Sequence, residues 1–387
     1  MLAILVLYVQ HPQKIWCYVS DVQLDADNIE AYALGCAILS AGGGGDPAIG
    51  LVMARHAIAG HGPVPVTDPA DLDPQAVVMP CGLIGSPTVA QERIWNGAEG
   101  AQLARSVAGL HGAPVDVLMC YEIAGVNGLL PVLWAARLGT PLLDADGMGR
   151  AFPEMQQQAM HVAGVAASPV VLTDGRDNVI VVEAADNQAA ERLARSCAAS
   201  FGGTCAGAIY IMRGRVAATA AISGSVSRAV QVGTMMHGRT GAWSAALAAE
   251  TGGRVLIEGR ITEIERYGGA GFARGHAVVD GSRGSRRRRL RLELQNEVLA
   301  ALEDGEVLAT VPDIIAVLGL VNGRPVGTER LQYGQRVGVV ALPAPAVWRS
   351  EQGLQVVGPR SFGYDLDYAG FGDGDRNDRP EAADVDR

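Results

Sequence analysis

The sequence has few aromatic residues and no excess of positive charge. Only 5% of the 387 residues are aromatic while 49% are hydrophobic, so small and aliphatic side chains must fill most of the core. The net charge of −10 disfavours a protein whose whole surface binds nucleic acid, because phosphate contacts require a positive face. The one basic run, residues 283–291, is interpreted as a solvated loop or strand edge. We therefore expect no nucleic-acid partner.

Several familiar site and targeting patterns are also missing. The six cysteines form no CxxC pair, so neither a zinc knuckle nor a disulfide framework is predicted. The sequence contains no P-loop, no HExxH motif and no GxSxG motif. The apolar residues 1–9 are far fewer than the roughly 20 that span a bilayer, and they lack the features of a signal peptide. We expect a cytoplasmic protein with reduced thiols and no membrane partner.

The order of strand-like and helix-like segments predicts two domains. In residues 24–168, buried-type strands lead into polar loops and then helices, which indicates an α/β domain with a largely parallel or mixed sheet. From residue 169 the pattern changes to a hairpin, several helices and then short strands. We expect a C-terminal α+β domain over 169–368, with a sandwich or barrel-like part at 254–360. The strands predicted there include 216–221 and 354–357, and the acidic tail 370–387 is predicted to be disordered.

An acidic stretch, DADGMGRAFPE at residues 144–154, is the most informative local pattern. It follows the apolar run 138–143, so a strand delivers Asp144 and Asp146 into a glycine-rich turn. Alternation along the strand places both carboxylates on the same side. The alternative is a solvated turn in which an aspartate caps the next helix.

Three predicted strands end in polar loops, and this favours a site over a simple turn. The loops cover residues 81–88, 122–127 and 144–154. Because the carboxyl ends of parallel strands meet at one edge of a sheet, we expect these loops to line one crevice.

A run of four glycines precedes the predicted helix that starts at Pro47. The backbone N–H groups of Gly43, Gly44 and Gly45 could bind an anion or an oxyanion at this helix start. Asp46, the next residue, is a further candidate for substrate contact. The alternative is a flexible turn. The run follows a helix instead of a strand, so it is not a dinucleotide-binding fingerprint.

These motifs resemble the S-methyl thiohydantoin desulfurase family of bacteria. The resemblance covers roughly residues 24–368 and rests on six segments: residues 33–47, 122–131, 144–154, 271–275, 295–297 and 357–365. It implies a metal-dependent enzyme that replaces the sulfur on C2 of a thiohydantoin with oxygen and yields a hydantoin. It also implies an association with hydantoinase and oxoprolinase proteins, and a small cyclic molecule as the substrate.

Hydrolytic desulfurisation requires a base for water, stabilisation of a tetrahedral intermediate, and an acid or metal for the departing sulfur. Asp144, Asp146 and Glu122 could hold a divalent metal; carboxylates favour Mg or Mn, and Zn is an alternative if His161 or His237 joins them. Alternatively, one acid of the aspartate pair has a raised pKa and acts as the base.

The remaining candidates would bind the substrate. Arg150 could bind a substrate carboxylate or pair with Glu154, four residues on. Asn127 could bind an imide edge or cap a helix, and the segment Gln295-Asn296-Glu297 could close the site from the second domain, with Asn296 as the candidate for substrate contact.

Three functions stay open at this stage. The first is a metal-assisted desulfurase, the second a hydantoinase-like cyclic amide hydrolase, and the third a non-catalytic subunit that binds a small molecule. A homo-oligomer is compatible with each of them. The acids at strand ends favour an enzyme.

Overall fold

Two β-sheets organise the chain. The computed structural model describes residues 23–93, 95–267, 274–282 and 288–370. Four sequence features therefore lie partly or wholly outside the described residues: the N-terminal segment, the start of the motif at 271–275, most of the basic run and the acidic tail. The rest of the chain forms a mixed sheet followed by an antiparallel sheet.

The first sheet is mixed, as the sequence predicts. Its main path runs β1-β2-β5-β4-β3-β8-β6-β7, with β9 paired to β3 and β10 paired to β5. The central strands β2, β5, β4 and β3 are parallel, and β8, β6 and β7 are antiparallel. The strands are β1 Gln23–Leu24, β2 Val64–Thr67, β3 Val77–Gly85, β4 Val117–Cys120, β5 Leu142–Asp146, β6 Val170–Thr173, β7 Val179–Val182, β8 Thr204–Ala208, β9 Met212–Arg213 and β10 Ile222–Ser223.

Helices cover the parallel strands. Every residue of β4 and β5 is buried, which is typical of parallel strands with both faces covered. The helices are α1 Ile29–Leu39, α2 Pro47–His61, α3 Pro87–Glu92, α4 Glu99–His111, α5 Leu130–Leu138, α6 Ala159–Val162, α7 Asn187–Ser200, α8 Gly214–Ala220, α9 Ser225–Met236, α10 Trp243–Thr251 and α11 Glu351–Val357.

Helices α1 and α9 pack with their backbones in close contact. A Cβ atom on Gly35 of α1 would lie 1.9 Å from the Ala229 carbonyl oxygen of α9, and one on Gly233 would lie 1.6 Å from the Ala31 carbonyl oxygen. Glycine at both positions is therefore required for this contact. The packing fixes the N-terminus of α9 beside β5.

The second sheet is antiparallel and contains seven strands in the order β15-β14-β13-β12-β11-β17-β16. It curls enough that β14 also contacts β16. The strands are β11 Arg254–Tyr267, β12 Arg274–Gly281, β13 Arg289–Leu294, β14 Val298–Glu303, β15 Glu306–Thr310, β16 Ile314–Gly319 and β17 Arg336–Leu342.

Two predicted strands are wrong. Residues 216–221 lie mostly in helix α8, and residues 354–357 lie in helix α11. Both are short apolar segments, whose periodicity does not separate a strand from a buried helix. Strands β6 to β10 join the first sheet although they follow residue 168, so the predicted domain boundary stays a prediction.

Candidate functional site

Three parallel strands lie side by side, and two of them, β4 and β5, end where the sequence predicts polar loops. Cys120 at the end of β4 is in register with Cys81 of β3 on one side and with Asp146 of β5 on the other. The loops after β4 and β5 therefore start side by side at one edge of the first sheet. The loop predicted at residues 81–88 is wrong, because β3 continues to Gly85 by pairing with β8, and a helix starts at Pro87.

Asp146 is a buried acceptor that holds the loops together. Its Oδ2 atom accepts hydrogen bonds from the backbone N–H groups of Ile123 (2.8 Å), Met148 (3.1 Å) and Gly149 (2.7 Å). Its Oδ1 atom accepts from the Ser225 hydroxyl at 2.5 Å. Burial raises the pKa of Asp146 to about 6, although these donors favour the charged form. Asp146 thus ties the loop after β4 to its own turn and to helix α9.

Asp144 caps the same helix. Its Oδ1 atom accepts from the Val226 and Ser227 backbone N–H groups at 2.8 and 3.0 Å, and its Oδ2 atom accepts from the Ser227 hydroxyl at 2.6 Å. Both aspartates point to the same side of β5, as alternation requires. Asp144 therefore bonds the first residues of α9, but the alternative of a solvated turn that caps the next helix does not describe these buried residues, because α9 begins about 80 residues later and Asp146 also binds three backbone N–H groups near its own turn.

The predicted metal ligands do not converge in the described part of the chain. Asp144, Asp146 and Glu122 do not bring their carboxylate oxygens within mutual reach of one ion, and the oxygens of both aspartates already accept hydrogen bonds from protein groups. The one cluster found among the described residues with three closely spaced ligand atoms is Glu263, Glu265 and His276, in the second sheet. The positions and hydrogen bonds of these three carboxylates therefore do not fit the predicted set of metal ligands.

A pocket of about 1030 Å³, open space at its mouth included, lies beside these strand ends. Its walls come from the glycine run, the ends of β3 and β4, helix α7 and the turn between β13 and β14. Apolar side chains such as Leu83, Trp95 and Phe152 form much of the surface. Its carboxylate, amide and guanidinium side chains are Asp46, Glu122, Glu154, Glu191, Glu297, Asn127, Gln158, Asn296 and Arg195. A mainly apolar pocket with a few polar groups is typical of a small-molecule site.

Glu122 is held in the pocket wall by Asn127. The Asn127 side-chain NH₂ donates to Glu122 Oε1, while Asn127 Oδ1 accepts from the Leu83 backbone N–H at 2.8 Å. These contacts fix the orientation of the Asn127 amide. The other oxygen, Glu122 Oε2, is buried and forms no hydrogen bond of normal geometry among the described residues, although the Phe152 backbone N–H lies near enough to the carboxyl group to favour its charged form.

Glu297 reaches the same pocket from the second sheet. It lies in the turn before β14, is 2% exposed, and its Oε2 atom also has no partner in the described structure. A Cβ atom on Gly43 would lie 2.2 Å from Glu297 Oε1. The residues just before Gly43 are bonded to β14 and to the loop after β16, because the Ala41 carbonyl accepts from Val298 N–H and the Gly42 carbonyl accepts from Thr328 N–H. The glycine run is thus one of the contacts that join the second sheet to the rest of the chain.

The two glutamates have shifted pKa values. Burial raises the pKa of Glu122 to about 8, and the nearby charge of Glu297 adds to this increase. Burial raises the pKa of Glu297 to about 7, while the Arg150 guanidinium opposes the increase. Because the Arg150 guanidinium favours the charged form of Glu297, a proton shared by the pair lies more readily on Glu122. Such a pair can both accept and donate protons.

Arg150 lies behind the pocket wall. It is fully buried, and its side chain donates to the backbone carbonyls of Ala151 (3.1 Å), Pro312 (2.9 Å) and Asp313 (2.7 Å). Its predicted partner Glu154 instead accepts from Gln156 and is a pocket residue. Arg150 therefore connects the acidic turn to the second sheet, and it is not among the residues that line the pocket, although its Nη2 atom has no partner among the described residues.

The other predicted residues divide into pocket residues and distant ones. Gly44, Gly45, Asp46 and Asn296 line the pocket. Asp46 also caps α2 and pairs with Arg330.

The two histidines lie away from the pocket wall. His161 Nδ1 lies 2.9 Å from the Asn187 amide nitrogen, and His237 is an exposed residue at the end of α9. Neither is brought to the aspartates as a metal ligand among the described residues.

The sequence indicates Glu297 only as part of the segment 295–297, without a role as an acid or base, and gives no indication of Gln158. Gln158 ends a run of three glutamines that carries no spacing signal.

Comparison with known proteins gives two adjacent family matches. A profile described as the S-Me-THD-like N-terminal domain matches residues 27–184, and one described as the S-Me-THD-like C-terminal domain matches residues 185–371. The chain belongs to the S-Me-THD-like family. The resemblance of the sequence motifs is thereby confirmed, and the pocket described above lies where the two S-Me-THD-like domains meet.

One solved structure shares the fold of this S-Me-THD-like chain. It is the crystal structure of a protein from Chromobacterium violaceum, solved by a structural genomics consortium, with 23% identity and a TM-score of 0.73. The alignment covers 90% of this chain and 99% of that chain. No curated protein matches. Across the described residues, no helix has the length and apolar character needed to cross a membrane.

Proposed function

We propose that this protein is a hydrolytic desulfurase of thiohydantoin-type rings and that Glu122 and Glu297 are its acid–base pair. One observation carries the proposal. Two buried carboxyl groups line one pocket, and each keeps an oxygen atom without a hydrogen bond of normal geometry in the described structure. An unpaired buried oxygen is costly unless a proton, a water or a ligand satisfies it.

The first step is the addition of water to C2 of the ring. Glu297, the more acidic of the two, takes a proton as the water oxygen bonds to C2. The π electrons of the C2–N bond move to the ring nitrogen, which takes a proton from Glu122. The product is a tetrahedral carbon that bears a hydroxyl group and the sulfur substituent.

The second step reverses both proton transfers. The C2–S bond breaks as the C2–O double bond forms, and the hydroxyl proton returns to Glu122. Glu297 gives its proton to the departing sulfur, which leaves as a thiol. Both carboxyl groups recover their starting states, and the ring is a hydantoin.

The family resemblance implies a divalent metal, but the aspartate oxygens already accept hydrogen bonds, and Glu122 must keep its proton to act as the acid, so these residues do not fit as ligands of that metal ion. The proton transfers assigned to Glu122 and Glu297 do not require this ion.

The test is turnover of an S-methylated thiohydantoin by the purified protein, with hydantoin and thiol measured together. We expect Glu122→Gln and Glu297→Gln each to lower kcat by about 10²- to 10⁴-fold, the range for general acid–base groups. Glu303→Gln is the matched control, because Glu303 pairs with Arg288 away from the pocket. Full activity of both pocket variants would refute the proposal.

The same assay separates the competing functions. Ring opening without thiol release would indicate a cyclic amide hydrolase. Saturable binding without any turnover would indicate a small-molecule-binding subunit.

A further inference from the structure

Gln158 is a buried amide in the pocket wall whose polar atoms have no protein partner. It is 0% exposed, and neither Oε1 nor Nε2 forms a hydrogen bond within the described structure. The proposed acid–base chemistry does not use it. Leaving both ends of an amide unpaired in an apolar setting costs free energy, so a ligand that satisfies both is strongly favoured.

The backbone around Gln158 fixes where this amide lies. The Ala159 N–H donates to the Gly147 carbonyl at 2.7 Å, and the His161 N–H donates to the Gln158 carbonyl at 2.9 Å. A Cβ atom on Gly147 would lie 1.9 Å from Gln158 Oε1, so glycine is needed for the side chain to fit there. Gly147 N–H in turn donates to the Tyr121 carbonyl at 3.1 Å, next to Glu122. The amide is therefore anchored beside the turn that carries the proposed acid.

A primary amide presents one N–H donor and one C=O acceptor side by side. Its complement is a group in which an N–H and a C=O also point in the same direction. A ring lactam or imide has this cis arrangement, whereas an open-chain secondary amide is trans and points them in opposite directions. A carboxylate would leave Gln158 Oε1 without a donor.

We infer that Gln158 recognises the cis-amide edge of a heterocyclic substrate through two hydrogen bonds. The inference rests on the proposed function for the choice of a five-membered ring. It makes Gln158 a substrate-binding residue that distinguishes rings with a free N–H next to a carbonyl from rings that lack it.

The test compares binding of hydantoin with binding of 1,3-dimethylhydantoin, measured by calorimetry. Methylation removes every ring N–H but leaves the carbonyl groups. We expect the wild-type protein to bind hydantoin about tenfold or more tightly than the dimethyl ring, as the loss of paired hydrogen bonds predicts. In Gln158→Met, which has a similar length and no amide, the ratio should fall to about one.

Two further variants guard against a folding artefact. Gln157→Met is the matched control, because Gln157 is also buried but accepts from the Glu154 N–H and does not line the pocket. It should keep the wild-type ratio. Gln158→Glu replaces the donor with an acceptor that repels the ring carbonyl, and should weaken hydantoin binding by about tenfold or more.

The outcomes separate this inference from the proposed function. Desulfurase activity together with an unchanged ratio in Gln158→Met, or with equal wild-type binding of both rings, overturns the role of Gln158 alone. A ratio that depends on Gln158 without any turnover supports the recognition and overturns the desulfurase instead.

Discussion

Gly43 and Glu297 lie so close together that a single methyl group on Gly43 would overlap the Glu297 carboxylate. The built Cβ would be 2.2 Å from Oε1 and 2.8 Å from Cγ. The glycine run thereby positions a pocket carboxylate contributed by a sheet more than 200 residues away in sequence.

Gly43→Ala should reduce turnover far more than it reduces stability. The atoms that must move belong to a glutamate side chain, which can rotate away, so the fold survives while the proposed base is displaced. We expect a loss of at least tenfold in kcat, in line with a misplaced acid–base group. Gly60→Ala in α2 has open space around its Cβ and is the control. Equal activity of the two variants would contradict this placement of Glu297.

Asp146→Ala should mainly destabilise the fold. Three buried backbone N–H groups would lose their acceptor, and each unpaired donor costs about 1–3 kcal/mol. We expect the free energy of unfolding to fall by about 3–5 kcal/mol, measured by denaturant titration. Asp71→Ala, at an exposed site, should change it little. A variant of wild-type stability that has lost activity would restore Asp146 as a catalytic acid.

The pH dependence of kcat/KM should be bell-shaped, with its maximum between about 7 and 8. Below the Glu297 pKa of about 7 the base becomes protonated, and above the Glu122 pKa of about 8 the acid loses its proton. Because the two carboxyl groups interact, the two apparent pKa values of this profile describe the pair and not one residue each. In Glu122→Gln, the residual kcat/KM should no longer fall at alkaline pH. If that fall persists, another group is the acid.

Arg150→Met should move the acidic limb of that profile to higher pH. The Arg150 charge lowers the pKa of Glu297, so its removal raises that pKa and narrows the active range. Stability should also fall, because three buried carbonyls lose a charged donor. Arg150→Lys should shift the limb less, since it keeps the charge. Arg213→Met, at a surface arginine bonded to the Gln75 carbonyl, should leave the limb in place.

Local sequence patterns predicted the strands and the edge at which they meet, but not which acids face the pocket. Alternation correctly placed Asp144 and Asp146 on one side of β5. Their partners, Ser225 and Ser227, come about 80 residues later, and no spacing rule reveals that contact. The sequence predicts Glu122 as a site residue because it directly follows a buried strand. Glu297 follows an antiparallel strand, and its role depends on how the second sheet packs against the glycine run.

Dividing the gene for this chain at the junction of its two family domains would separate Glu122 from Glu297. Neither product would contain the pair, and the proposed activity would return only when the two polypeptides reassociated, with β8 and β10 pairing again with β3 and β5. Selection on this site therefore acts on both domains at once. Substitutions at the Gly43–Glu297 contact should be inherited as matched changes rather than singly.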